Sequence, residues 1–312
     1  MKNFILRLLH QSPKLYRLLR SYLSQDVQSH LLAKMLINQI QGRGVLDDIQ
    51  QAEFKVFSQF GDDGIIQYLI NLVKLPPEER NFVEVGVEDY TEANTRFLLV
   101  NNNWSGLVVD AGREEIEFIK KEDIYWKYDL TAVCSFVTKS NINNLLDRHL
   151  RYKKIGLLSI DIDGNDYWIW EAITLIKPRI VIMEYNGLFG QEKSVSIPYQ
   201  EDFSRIKAHY STVYWGCSLK SLVELGRKKG YHFVGTNSTG INAYFVRKDS
   251  LGKVKPISLK KGFTLPKYRE SRDREGRLTF VSGENRLKLI KSQPLYDFEK
   301  CKQLLIKNIY NL

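Results

Sequence analysis

The run FVEVGVEDYTEANTRFLLVNNNWSGLVVDAG, residues 82–112, carries the reading of the fold. NFVEVGV (81–87) is an apolar run of strand length, and SGLVVDA (105–111) is another. Between them TEANTRFLLVNN (91–102) has helical spacing, which predicts a strand–helix–strand unit with parallel strands. The alternation continues downstream. REEIEFIKKE (113–122) is predicted as a helix, IYWKYD (124–129) as the third strand and NINNLLDRHLRY (141–152) as a helix. KIGLLSID (154–161) is the fourth strand, NDYWIWEAITLI (165–176) a helix and RIVIMEYN (179–186) the fifth strand. SLKSLVELGRKKG (218–230) is a helix with Ser218 as N-cap and Gly230 as stop.

YHFVG (231–235) and NAYFVR (242–247) are joined by only six residues, too few for a parallel crossover, so they form an antiparallel hairpin. The expected fold is a doubly wound, Rossmann-like α/β sheet of seven strands, mostly parallel, with an antiparallel C-terminal hairpin. By analogy, five parallel strands and such a hairpin suit S-adenosylmethionine (SAM) methyltransferases better than nicotinamide enzymes.

The 312 residues divide by charge. Residues 1–50 hold 7 Lys and Arg against 3 Asp and Glu, residues 51–250 hold 24 against 27, and residues 251–312 hold 15 against 6. Three units are expected: a basic helical extension over 1–50, a catalytic domain over 51–250 and a basic extension over 251–312. Basic character confined to the ends counsels against a nucleic-acid enzyme. Three dispersed cysteines give neither a disulfide framework nor zinc spacing, and they suit a reducing cytosol.

The first 23 residues carry apolar faces with Lys2, Arg7, Lys14, Arg17 and Arg20 as the only charges. Such a segment can pack on the domain or on a second subunit, or it can lie on the inner face of an anionic membrane. Within the last segment, ENRLKLIKSQPLYDFEKCKQLLIKNI (284–309) is predicted to end in an amphipathic helix.

Ligands of an open α/β sheet bind beyond the carboxyl ends of its strands. Five expected strands each bring an acid to that edge: Glu84, Asp110, Asp129, Asp161 with Asp163, and Glu184. The row suits a ligand rich in hydroxyl and amine donors, as SAM is with its ammonium, ribose hydroxyls and adenine amine. It does not suit a dinucleotide, because the first turn, GVEDYT (86–91), lacks G-x-G-x-x-G.

Residues 82–112 together with LLSIDIDGNDYWIWEAI (157–173), IVIMEYN (180–186), SQFGDDGIIQYLI (58–70) and GYHFVGTNSTGINAYFVRKD (230–249) resemble the FkbM-type branch of class I SAM-dependent methyltransferases. The resemblance covers about residues 55 to 250. It implies O-methylation of a sugar hydroxyl in a glycan, polysaccharide or glycolipid. An RNA or protein acceptor, or a non-catalytic SAM-binding subunit, is the alternative.

It further implies that Glu84 and Gly86 lie under the methionine part of SAM, and that Asp110 holds the ribose. Asp129 would lie near the adenine, Asp161 near the ammonium or the transferring methyl. Asn94 and Thr95 would meet the SAM carboxylate through free backbone N–H groups, and Ser58 and Gln59 would close the pocket. The chain departs from the pattern in its glycine loop, where Glu88 and Tyr90 stand in place of further glycines.

Asp163 and Asp166 can serve the helix that starts near residue 165. Alternatively Asp161 or Asp163, with Glu184 and Asn186, could hold Mg²⁺ or another divalent cation that acidifies the acceptor hydroxyl. Without a metal, one of these carboxylates or His232 must take the proton.

Overall fold

The structure, a computed structural model, describes residues 26–312. Its main sheet contains β1 (Asn81–Val85), β2 (Ser105–Asp110), β3 (Leu130–Cys134), β4 (Leu157–Ile160), β5 (Ile180–Glu184), β7 (Tyr231–Thr236) and β8 (Asn242–Arg247). The strand order is β3-β2-β1-β4-β5-β8-β7. The first five strands are parallel, and β8 is antiparallel to both β5 and β7. This is the doubly wound, Rossmann-like sheet expected, with the hairpin closing it.

Successive side chains of a strand point to opposite faces, and here both faces are apolar. Phe82, Val108, Ile180 and Ile182 enter one core, with Ile65 and Leu69 from helix 62–73, Phe97 and Leu98 from helix 96–102 and Ile116 from helix 113–121. Val83, Leu107, Val109, Val181 and Met183 enter the other. There they meet Leu146 from helix 142–149, Trp170 from helix 166–172 and Leu222 from helix 219–229. Each such aliphatic side chain contributes about 1.5–3 kcal/mol on burial, so helices on both faces hold the strand ends in fixed register. Helix 219–229 is bounded as its sequence signals: the Ser218 hydroxyl accepts from Ser221 N–H, and Gly230 is left-handed at φ +89°.

Two elements differ from expectation. Residues 124–129 are not a strand. Asp123–Lys127 is a short helix, and the third strand is Leu130–Cys134. Ile124, Trp126 and Tyr128 alternate as a strand would, but Trp126 is exposed and Lys127 pairs with Asp123 one turn back.

The C-terminal segment is not one long helix either. Glu284–Leu289 is helical, and β9 (Pro294–Asp297) and β10 (Lys302–Leu305) follow, then a last turn of helix over Ile306–Tyr310. Pro294 cannot donate a helical hydrogen bond and starts a strand instead. β9 pairs with β6 (Val195–Ser196) and β10 in a second, antiparallel sheet. Leu287, Ile290, Leu295, Ile306 and Ile309 share a third core with Phe189, Val195, Ile197, Val213 and Tyr214. The basic segment is thus folded onto the insertion that follows β5.

Among the described residues no helix is long and apolar enough to cross a membrane. The basic amphipathic stretch up to residue 23 lies outside the described residues.

Candidate functional site

A cavity of about 480 Å³ opens at the carboxyl ends of β1, β2, β4 and β5, where ligands of open α/β sheets bind. Its volume falls in the range of small-molecule sites, roughly 300–1,000 Å³. Gln59, Glu84, Gly86, Asn94, Asp110, Asp161, Asp163, Glu184 and Asn186 all line it. Ser58, Thr95, Asp129 and His232 do not.

On the β1 side the loop after the strand is tightly organised. Gly86 is left-handed at φ +82°, and a Cβ there would lie 1.6 Å from the carbonyl oxygen of Asp161. Only glycine lets the β1 and β4 loops approach this closely. Glu84 is buried, and its carboxylate accepts Asn94 N–H (2.9 Å), Thr95 N–H (3.0 Å) and the Thr95 hydroxyl (2.5 Å). Those N–H groups are therefore engaged by Glu84 rather than free for a SAM carboxylate, which corrects the role expected of Asn94 and Thr95. The Asn94 side-chain amide donates to Ser159 Oγ (3.1 Å), and the Thr95 hydroxyl also meets Tyr90. Burial, opposed by these donors, raises the Glu84 carboxyl to about 7.

Asp110, at the end of β2, accepts Val87 N–H (3.0 Å) and Glu88 N–H (2.8 Å) on one oxygen and Gly112 N–H (2.8 Å) on the other. A carboxylate has about four lone-pair positions, so little capacity remains for a ligand hydroxyl. Asp129 precedes β3 instead of ending it. It sits at the far edge of the sheet, paired with Arg151 at 2.9 Å. Ser135, Phe136 and Val137 follow the true third strand and line the cavity in its place. The alternation of Leu130, Ala132 and Cys134 was the available signal.

On the β4–β5 side two carboxyls meet. Asp161 and Glu184 are hydrogen-bonded to each other, and both are pushed well above the carboxylate range. Burial is the first cause for each, followed by repulsion from neighbouring acids. Carboxyls in such contact titrate as a pair and not independently. Glu184 Oε2 is buried without a hydrogen-bond partner.

Asp163 is left-handed at φ +55°, exposed, and held by Arg205 at 2.7 Å. Asp166 braces the loop behind it, accepting Ile162 N–H (2.8 Å) and Gly164 N–H (2.9 Å). Asp161, Asp166 and Glu184 bring carboxylate oxygens within 4.8 Å of one another. Asn186 lines the same cavity and is held by its own loop. Its amide donates to the carbonyls of Val213 (3.2 Å) and Trp215 (3.0 Å), and its oxygen accepts Leu188 N–H (3.1 Å), which fixes the side chain and leaves one lone pair of the oxygen unused.

The other expected residues lie apart. Ser58 is buried and exchanges hydrogen bonds with Asp63, while Gln59 is exposed at the cavity rim. His232 sits on β7, the edge strand of the sheet, away from the cavity, which removes it as the base. The far wall holds residues that the sequence did not single out: Phe203, Arg205, Pro266, Tyr268 and Arg286. Three of them come from the basic C-terminal segment, whose irregular pattern gave no sign of a site.

No protein-family model and no curated protein matches the chain. Solved structures with similarity to it include a S-adenosylmethionine-dependent methyltransferase from Clostridium acetobutylicum ATCC 824, at 10% identity and TM-score 0.38 over 60% of this chain and 90% of that one. An O-methyltransferase from Bacillus cereus in complex with SAH aligns at 10% identity and TM-score 0.36, over 69% of this chain and 90% of that one. The N-terminal domain of EvdMO1 with SAH bound aligns at 9% identity and TM-score 0.38, over 68% and 94%.

Proposed function

We propose that the chain is a SAM-dependent O-methyltransferase of the FkbM type whose acceptor is a sugar hydroxyl of a glycan or glycolipid. One observation carries the proposal: the paired carboxyls of Asp161 and Glu184 face the same cavity as the Gly86 loop and Asp110. Five parallel strands closed by an antiparallel hairpin, the architecture that suits SAM methyltransferases by analogy, support the reading.

Bound SAM would supply an activated methyl on a sulfonium, so the protein has only to align an acceptor oxygen and remove its proton. The Gly86 turn leaves room for close backbone approach at the β1–β4 edge. Asp110 fixes the floor of the site by tying loop 87–88 to Gly112. The deprotonated carboxylate of the Asp161–Glu184 pair would accept the hydroxyl proton.

A second reading places a divalent cation on Asp161, Asp166 and Glu184, and the 4.8 Å cluster favours it. Calorimetry with SAM and SAH, followed by transfer of labelled methyl to glycan fractions with and without chelator, tests both. Absence of cofactor binding by folded protein overturns the proposal. Loss of turnover on chelation selects the metal, and unaffected turnover removes it.

A further inference from the structure

We propose that the methyl acceptor carries an anionic group, a carboxylate or a phosphate, which Arg286 receives with Arg205 at the C-terminal wall of the cavity. This rests on the methyltransferase reading and specifies its substrate class. Arg286 is 8% exposed and lines the cavity. Among the described residues no carboxylate lies within ion-pair distance of it. Two of its nitrogens donate to the backbone carbonyls of Tyr268 (2.7 Å) and Glu270 (3.1 Å), and its Nε is buried with no partner.

The acid whose charge acts on Arg286, Glu270, is already shared. Its carboxylate receives Arg205 at 3.2 Å and Arg272 at 3.1 Å. Arg205 also holds Asp163 at 2.7 Å and stacks over Trp215 at 5.3 Å. Arg286 is held down by burial first and by repulsion from Arg205 second.

The Glu270 charge offsets part of this, but it is shared with two other arginines; a buried cation so weakly compensated is costly, and its cost falls when a ligand brings a further anion. The rest of the wall is lined by carboxyl groups, those of Glu84, Glu88, Asp110, Asp161 and Glu184. The cavity is therefore polarised. Hydroxyl and ammonium donors suit the β1–β4 end, and an oxyanion suits the wall built by Tyr268 and Arg286. Arginine pairs with carboxylate and phosphate oxygens in a planar fork.

The test is titration of SAH-loaded wild type, Arg286→Gln and Arg286→Lys with D-glucose, D-glucuronate and α-D-glucose 1-phosphate at constant ionic strength. At least one charged sugar should bind wild type about tenfold more tightly than glucose. That advantage should vanish in Arg286→Gln and persist only in part in Arg286→Lys, which keeps the charge but not the fork, with SAH affinity unchanged in both. The better of the two charged sugars identifies carboxylate or phosphate.

Glucose binding as well as both charged sugars overturns the proposal, and so does failure of both to bind. Weaker SAH binding in a folded Arg286→Gln also overturns it, because Arg286 would then face the cofactor's own carboxylate. The wild-type ranking stands alone if Arg286→Gln does not fold. Repeating it without SAH separates this proposal from the methyltransferase reading, which fails only if SAH itself does not bind.

Discussion

Glu84 and Glu184 each sit at the carboxyl end of a buried parallel strand, line the same cavity and are almost fully shielded from water. Glu84 is met by three donors from one loop, and both its oxygens are satisfied. Glu184 is met by another carboxyl, and one of its oxygens has no partner. The first acid organises the backbone, and the second is left with capacity to take a proton. The role of a strand-end acid is set by the donors its neighbours bring to it, not by its place on the strand.

This contrast can be broken by exchanging the demands on the two sides. The largest effect is expected at the pair. Asp161→Asn or Glu184→Gln should lower kcat by about 10²–10⁴-fold while SAH affinity holds, because only the proton acceptor is lost. Equal loss of SAH binding in calorimetry would mean that the pair grips cofactor instead. Next comes Gly86→Ala, which forces a methyl into the Asp161 carbonyl at a left-handed residue. It should cost about 3 kcal/mol or more of stability and abolish SAH binding.

Glu84→Gln should lower stability by about 1–3 kcal/mol, since an amide nitrogen now confronts N–H and hydroxyl donors. Turnover per folded molecule should fall far less than at Glu184. The same site predicts a pH dependence. The folded chain raises Glu84 from 4.5 to about 7, so it binds that proton more tightly than the unfolded chain does. The stability this contributes is fully present below about pH 4.5 and is lost as pH rises through about 7. Asp166, raised to about 7, and Asp63, raised to about 6, act in the same sense. Thermal melts of the unliganded protein should therefore decline between pH 5 and 7.5, and Glu84→Gln should flatten part of that slope. The smallest effect belongs to Asp129→Asn. It removes one exposed ion pair with Arg151 and should change stability by no more than about 1 kcal/mol, with kcat and SAH affinity unaltered.

Much of this molecule is legible in its residues. Strand-length apolar runs separated by helical spacing require a parallel sheet covered on both faces, and the six-residue link TNSTGI requires an antiparallel end. Those local and chain-length constraints place Glu84, Gly86, Asp110, Asp161 and Glu184 at one edge. They fail for IYWKYD, where a short apolar run satisfies both periods and only packing decides. The resulting shift moved Asp129 to the wrong end of the sheet.

What tertiary structure alone decided is which group meets which. Glu84 is consumed by a loop ten residues on, Asp161 and Glu184 are joined across two strands, and Arg286 is carried into the cavity from a segment that reads as a charged tail. Periodicity records which face a side chain takes, because that follows from local backbone geometry. Contacts between distant segments depend on how whole elements pack, and no short stretch of sequence encodes them.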